Sequence, residues 1–85
     1  MYYVYIIGSI SHPGQRYVGF TGNRMDLRLD RHNRGTTLAT KRYTPWKLLW
    51  SDAFPEKEIA LAFETYLKSG SGRAFANKRL IPPGA

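Results

Sequence analysis

Two phenols, a guanidinium, an imidazole and a lone carboxylate stand along this chain at spacings that a fold can gather: Tyr5, Tyr17, Arg28, His32 and Glu64. Phenol and imidazole groups move protons once a partner or a charge tunes them. A guanidinium forks onto the oxygens of an anion, and a carboxylate holds a hard divalent cation. Arg28 and His32 are an i,i+4 pair and share a face if they lie on a helix. Glu64 is the only acid from Ile59 to the C-terminus, against Lys68, Arg73, Lys78 and Arg79. Each residue also has a plain structural alternative. Tyrosines in small sheets serve as core or cross-strand partners, and a helical arginine is usually solvated. A histidine near a helix end favours the dipole, and a surface glutamate pairs with a lysine. Other chemistries lack their residues. There is no cysteine, no G-x-G-x-x-G and no P-loop lysine motif, and the two histidines lie far apart in sequence. Ser69-Gly70-Ser71-Gly72-Arg73 looks like a phosphate loop but has the wrong spacing, and a helix C-terminal turn is the better reading.

The elements that must position these groups follow from periodicity. Residues 2–8 are β-branched and aromatic almost throughout, which reads as a strand covered on both faces. Pro13-Gly14 makes a turn, and residues 16–21 read as a second strand returning antiparallel. Gly19 inside that strand marks a place where something approaches the backbone closely. A helix is expected over about 23–34, capped by Asn23 with Asp26 as a weak capping-box partner. It presents Met25, Arg28, Leu29 and His32 on one face and stops at Gly35. After a polar, basic loop, residues 46–51 form a third strand. A helix over 55–69 follows, with Ile59, Phe63, Tyr66 and Leu67 as its apolar stripe and Glu64 at the edge of its buried face. Gly70 and Gly72 are expected to break it, with one more short turn over Arg73–Arg79. The fold class is therefore α+β, a three-stranded antiparallel sheet flanked by helices in a sandwich-like arrangement. Residues 1–81 form one domain, and 82–85 are a short flexible tail.

The net charge of +7, from thirteen Lys/Arg against six Asp/Glu, favours a polyanionic partner. Residues 31–51 carry Arg31, Arg34, Lys41, Arg42 and Lys47 and no acid. The apolar run Tyr2–Ile7 is too short to span a membrane and lacks the flanks of a signal peptide, so a cytoplasmic protein is expected. Without disulfides or zinc, the large aromatics Trp46, Trp50, Phe54 and Phe63 are expected to supply much of the core.

Taken together and in order, these residues resemble the GIY-YIG nuclease superfamily, in particular its small stand-alone bacterial members. Tyr3-Val4-Tyr5 matches the first signature triplet and Tyr17-Val18-Gly19 the second. Arg28 follows at the expected distance, then Arg28-Leu29-Asp30-Arg31-His32-Asn33, then Pro45-Trp46. Glu64 stands in Phe63-Glu64-Thr65-Tyr66-Leu67-Lys68, where the family places its metal ligand. The likeness spans residues 2–80, including a C-terminal signature over 68–80. Two departures are a missing glycine in the first triplet and Phe20 where the excision-repair members carry lysine, with His32 where they have tyrosine. The resemblance implies the GIY-YIG nuclease fold and metal-dependent DNA endonuclease chemistry. Glu64 then holds one Mg2+ or Mn2+, Arg28 grips the non-bridging phosphate oxygens, and Tyr17 is the general base with neutral His32 as its proton acceptor. Tyr5 orients water or phosphate, and the two tyrosine roles remain interchangeable. Gly19, Lys41, Arg42, Arg73, Lys78 and Arg79 are the expected nucleic-acid contacts, made with little sequence specificity. No obligate protein partner or membrane is expected. The alternative reading is a nucleic-acid-binding module of the same fold with weak or no catalysis.

Overall fold

The strand Tyr2–Ser9 (β1) is the spine of the molecule, and its composition shows why. Every residue from Val4 to Ser9 is buried, which needs a covered sheet face on both sides. In the computed structural model, which describes residues 1–84, β1 is the middle strand of a three-stranded antiparallel sheet. Arg16–Thr21 (β2) pairs along one edge, setting Tyr5 opposite Gly19 and Ile7 opposite Tyr17. Trp46–Phe54 (β3) pairs along the other, with a register shift between Ile6 and Ile7 that leaves Leu49 as an extra residue. The expected strands are present, and β3 runs three residues further than the apolar segment alone suggests.

Alternation along β1 divides the core into two layers. Tyr5 and Ile7 face one way and pack with Trp46, Tyr17, Met25, Leu29 and Tyr43 beneath the helix Met25–Asn33 (α1). Val4 and Ile6 face the other way and meet Ala60 and Leu67 of the helix Lys57–Lys68 (α2) and Ala76 of the helix Gly70–Arg79 (α3). Of the aromatics expected to fill the core only Trp46 is buried; Trp50, Phe54 and Phe63 are half-buried around the second layer. Val4, Tyr5, Ile6 and Ile7 of the spine strand, enclosed from both sides, are half of the buried hydrophobic residues among those described.

Several local expectations are corrected. Asn23 does not cap α1: its backbone N–H donates to Thr21 Oγ1, and the helix starts two residues later without a side-chain cap. Asp26 is spent on Arg24 and on the Leu27 N–H. The loop after α1 contains a short 3-10 turn over Lys41–Tyr43. On α2 the apolar stripe is rotated. Ala60 and Leu67 are buried and Phe63 and Glu64 half-buried, while Ile59 is 52% and Tyr66 40% exposed. Positions 60, 63, 64 and 67 are spaced i, i+3, i+4, i+7 and the expected 59, 63, 66 and 67 are spaced i, i+4, i+7, i+8, both compatible with one helix face. A polar residue inside the buried stripe hid the true phase.

The break after α2 is at Ser69, not at the glycines. The Ser69 hydroxyl accepts the Gly72 N–H at 3.1 Å and caps α3, which is ten residues long rather than a short turn. Gly72 belongs there for lack of space, since a Cβ on it would lie 1.8 Å from the Tyr66 carbonyl oxygen. The segment Ser69–Arg73 is thus a helix start and not the helix end read from its glycines. Leu80 and Ile81 pack against the core, Pro82–Gly84 are exposed, and the last residue of the expected tail, Ala85, lies outside the described residues.

Candidate active site

The antiparallel register between β1 and β2 brings the two tyrosines beneath α1. Tyr5, fully buried, would collide with any side chain at position 19: a Cβ there would lie 2.3 Å from its Cζ and hydroxyl. The close approach expected at Gly19 is therefore made by the protein's own Tyr5 phenol, and Gly19 itself is buried. Tyr17 is half-buried, one diagonal step along the same sheet face.

Above them, α1 presents Arg28 and His32 one turn apart. Arg28 Nε donates to the Tyr5 hydroxyl at 2.9 Å, and the same hydroxyl lies 2.7 Å from His32 Nε2. His32 Nδ1 lies 2.7 Å from Thr40 Oγ1, whose hydroxyl points towards the Thr37 carbonyl at 3.4 Å. One proton arrangement satisfies every member of this chain. Thr40 gives its proton to Thr37, His32 Nδ1–H gives to Thr40, Tyr5 O–H gives to His32 Nε2, and Arg28 gives to Tyr5. The imidazole ring sits 5.7 Å from the Tyr5 ring and 5.3 Å from the Tyr17 ring, in contact with both. Among the thirteen Lys and Arg residues, only Arg28 is half-buried; the others are exposed.

Burial decides the charge state here. Desolvation, followed by the positive charges of Arg28 and Arg31, lowers the His32 pKa from 6.5 to about 4. His32 is neutral at neutral pH and can accept a proton. Burial also raises the Tyr5 pKa, against the opposing hydrogen bond and charge of Arg28 and with smaller upward contributions from Tyr17 and Glu64. The phenol of Tyr5 stays protonated, and the Glu64 carboxylate is near enough for Tyr5 to feel its charge.

Glu64 sits inside the buried stripe of α2 with its side chain only 17% exposed, and its carboxylate pairs with Lys68 Nζ at 3.1 Å. The other ion-paired acids, Asp26 and Asp30, are 62% and 52% exposed. A glutamate at a core-facing position is costly unless something compensates it. Lys68, half-exposed and flexible, is its partner in this conformation. Among the described residues no three His, Cys, Asp or Glu side chains gather into a metal cluster. That donor set does not suit zinc, which wants three or four protein ligands. It does suit a hard cation that keeps most of its waters and is tied to the protein by one carboxylate.

Of the five sequence-derived residues, Arg28, Tyr5 and His32 are thus joined by hydrogen bonds, Tyr17 meets His32 ring to ring, and Glu64 is within electrostatic reach of Tyr5. The candidate DNA-binding cations fall on two elements outside α1. Lys41 and Arg42 are exposed on the 3-10 turn, with the Arg42 guanidinium 5.9 Å from the Tyr43 ring centroid, and Arg73, Lys78 and Arg79 are exposed on α3. Two residues of this region have structural roles that no spacing rule marks. Thr40, fully buried, fixes the imidazole and also accepts Trp46 Nε1–H on its carbonyl at 2.8 Å. Asn33 clamps the start of β3, with Oδ1 accepting the Trp46 N–H and Nδ2 donating to the Trp46 carbonyl.

Comparison with known proteins agrees with this arrangement. The family model described as the GIY-YIG catalytic domain matches residues 1–79. A protein of Drosophila mojavensis named "Structure-specific endonuclease subunit SLX1 homolog" is 38% identical, over 74% of this chain and 23% of its own length. The chain therefore spans about a quarter of that relative. With the family model covering nearly every residue and the two tyrosines, the arginine and the glutamate in their expected order, the chain belongs to the GIY-YIG nuclease superfamily.

Proposed function

We propose that this domain is a DNA endonuclease that hydrolyses phosphodiester bonds with one divalent cation, Mg2+ or Mn2+, held at Glu64. The observation that carries this reading is the buried chain from Arg28 through Tyr5 and His32 to Thr40, which fixes a guanidinium and a neutral imidazole beside a half-exposed tyrosine. A chain of hydrogen bonds of that kind is more than packing requires. It preorganises donors and acceptors where charge develops in a transition state.

In this reading Arg28 grips the non-bridging oxygens of the scissile phosphate with the guanidinium nitrogens not used by Tyr5. Tyr17 is the general base: its ring is partly open to solvent, whereas Tyr5 is sealed and held from both sides. To act as a base Tyr17 must first give up its phenolic proton, and the neutral imidazole of His32 against its ring is the acceptor, while Tyr5 on His32 Nε2 acts as a positioning group. A bound divalent cation supplies the counter-charge for the phosphate and the leaving oxygen. Lys68 must release Glu64 for that, and an exposed lysine does so at little cost. The Lys41–Arg42 turn and the α3 cations hold the DNA backbone without reading sequence. The fly relative is named structure-specific, which fits a preference for DNA shape over sequence in this chain too.

The Glu64–Lys68 ion pair favours a second reading, a DNA-binding module in which Glu64 is structural. Cleavage of labelled DNA with and without Mg2+ separates the two. Tyr17→Phe, which keeps the ring, should lower the rate by roughly 10²-fold with binding intact. Wild-type cleavage by that variant moves the base to Tyr5.

A further inference from the structure

At the β2 edge of the sheet, on the face opposite the Tyr5–His32 cluster, lies a cleft of about 530 Å³, between the start of β2 and the end of α2 with α3. It is in the size range of cavities that hold small-molecule groups, roughly 300–1,000 Å³. Its floor is apolar, made by Ile6, Val18, Leu67, Ala76 and Ile81. Its rim is cationic, with Lys68 and Arg73, and Arg16 donates to the Asn77 side-chain oxygen across it. Among the described residues no Asp or Glu lines it. Two lining residues also belong to the candidate active site. Tyr17 rests its ring on His32, and Lys68 is the ion partner of Glu64.

An apolar floor beneath a cationic rim suits a group with a flat, weakly polar body and an anionic edge. A nucleotide is such a group, but a base paired inside a duplex has no free face to offer the floor. The base must first leave the helix, and that is least costly where it is already unpaired. We propose that this cleft receives one unpaired nucleotide of the DNA, base against the floor and phosphate at Lys68 and Arg73. Because Tyr17 and Lys68 border both places, the neighbouring phosphate of that strand is delivered to the catalytic cluster. The site thereby selects DNA with an unpaired nucleotide next to the cut. The identity of the ligand as DNA rests on the nuclease reading; the cleft itself does not.

The test is a binding measurement in chelator, so that no cutting intervenes. Fluorescence anisotropy compares a duplex bearing one unpaired dA, the same duplex with an abasic residue at that position, and the fully paired duplex. Burial of one base face on the aliphatic floor predicts about tenfold tighter binding of the unpaired dA than of the abasic probe. Gln15→Trp fills the mouth from an exposed turn position and should bring that ratio to about one, leaving the fully paired duplex bound as before. A wild-type ratio near one overturns the proposal, as does a ratio that survives in Gln15→Trp. A tenfold ratio in a protein that cuts no DNA supports the cleft and overturns the nuclease reading. A ratio near one in a protein that does cut overturns the cleft alone.

Discussion

At neutral pH the imidazole of His32 is uncharged, because it is sealed from water and faces the charges of Arg28 and Arg31. That has a thermodynamic consequence. In the unfolded chain this histidine binds a proton below about pH 6.5, whereas the folded protein refuses it until about pH 4. The unfolded state therefore holds more protons across that window, and stability falls as the pH drops from about 6.5 to about 4, by up to about 3 kcal/mol from this residue. Urea unfolding at a series of pH values should show the slope in the wild type and a flatter one in His32→Gln, whatever the variant's absolute stability. Equal slopes would mean that His32 is not held neutral by the fold. The same burial bears on catalysis: an acid limb of the cleavage profile caused by His32 should lie well below pH 6.5.

Strand register brings the phenol of Tyr5 across β2, and Gly19 leaves the room. Gly19→Ala places a Cβ 2.3 Å from that ring, so Tyr5 must shift and its bonds to Arg28 and His32 must lengthen or break. Cleavage should drop at least about tenfold and stability by about 1–3 kcal/mol, with the DNA affinity retained. Wild-type cleavage by Gly19→Ala would show that the Tyr5 hydroxyl need not be where it is. This site was legible in the sequence where local rules sufficed. Period-2 pairing put Tyr5 and Tyr17 on one face of neighbouring strands, and i,i+4 spacing put Arg28 above His32. Where a tertiary contact decided the outcome, it was not legible. Thr40 reaches His32 only because the chain folds back after α1, and no spacing rule marks it. On α2, Phe63 and Leu67 face the core as expected, but Glu64 and Ala60 take the positions that hydrophobicity alone gave to Ile59 and Tyr66.

At the scale of the molecule, the charge excess lies on the surface. Every Lys and Arg except the half-buried Arg28 is exposed, so most of the positive charge faces solvent, where a polyanion would meet it. Binding to DNA should weaken steeply with salt and depend little on sequence. Lys41→Ala combined with Arg42→Ala should flatten the plot of log K against log salt by about 1.8 on duplex DNA if both contact phosphates. An unchanged slope would remove the 3-10 turn from the interface and leave α3 as the binding surface.

Whether the molecule cuts DNA or only holds it turns on Glu64, the carboxylate that the fold keeps inside an otherwise apolar stripe. Glu64→Gln is nearly isosteric and removes the charge while leaving the tyrosine, arginine and histidine cluster in place. The direct measurement is the rate of cleavage of labelled DNA by wild type and Glu64→Gln across a Mg2+ titration, beside their DNA affinities in chelator. Metal ligation by Glu64 predicts a folded variant that binds DNA at least as tightly as wild type and cuts it at least roughly 10²-fold more slowly at every Mg2+ concentration. Cleavage by Glu64→Gln at the wild-type rate in the same buffer would contradict it, leaving the Glu64–Lys68 pair as a structural contact and the site without its cation.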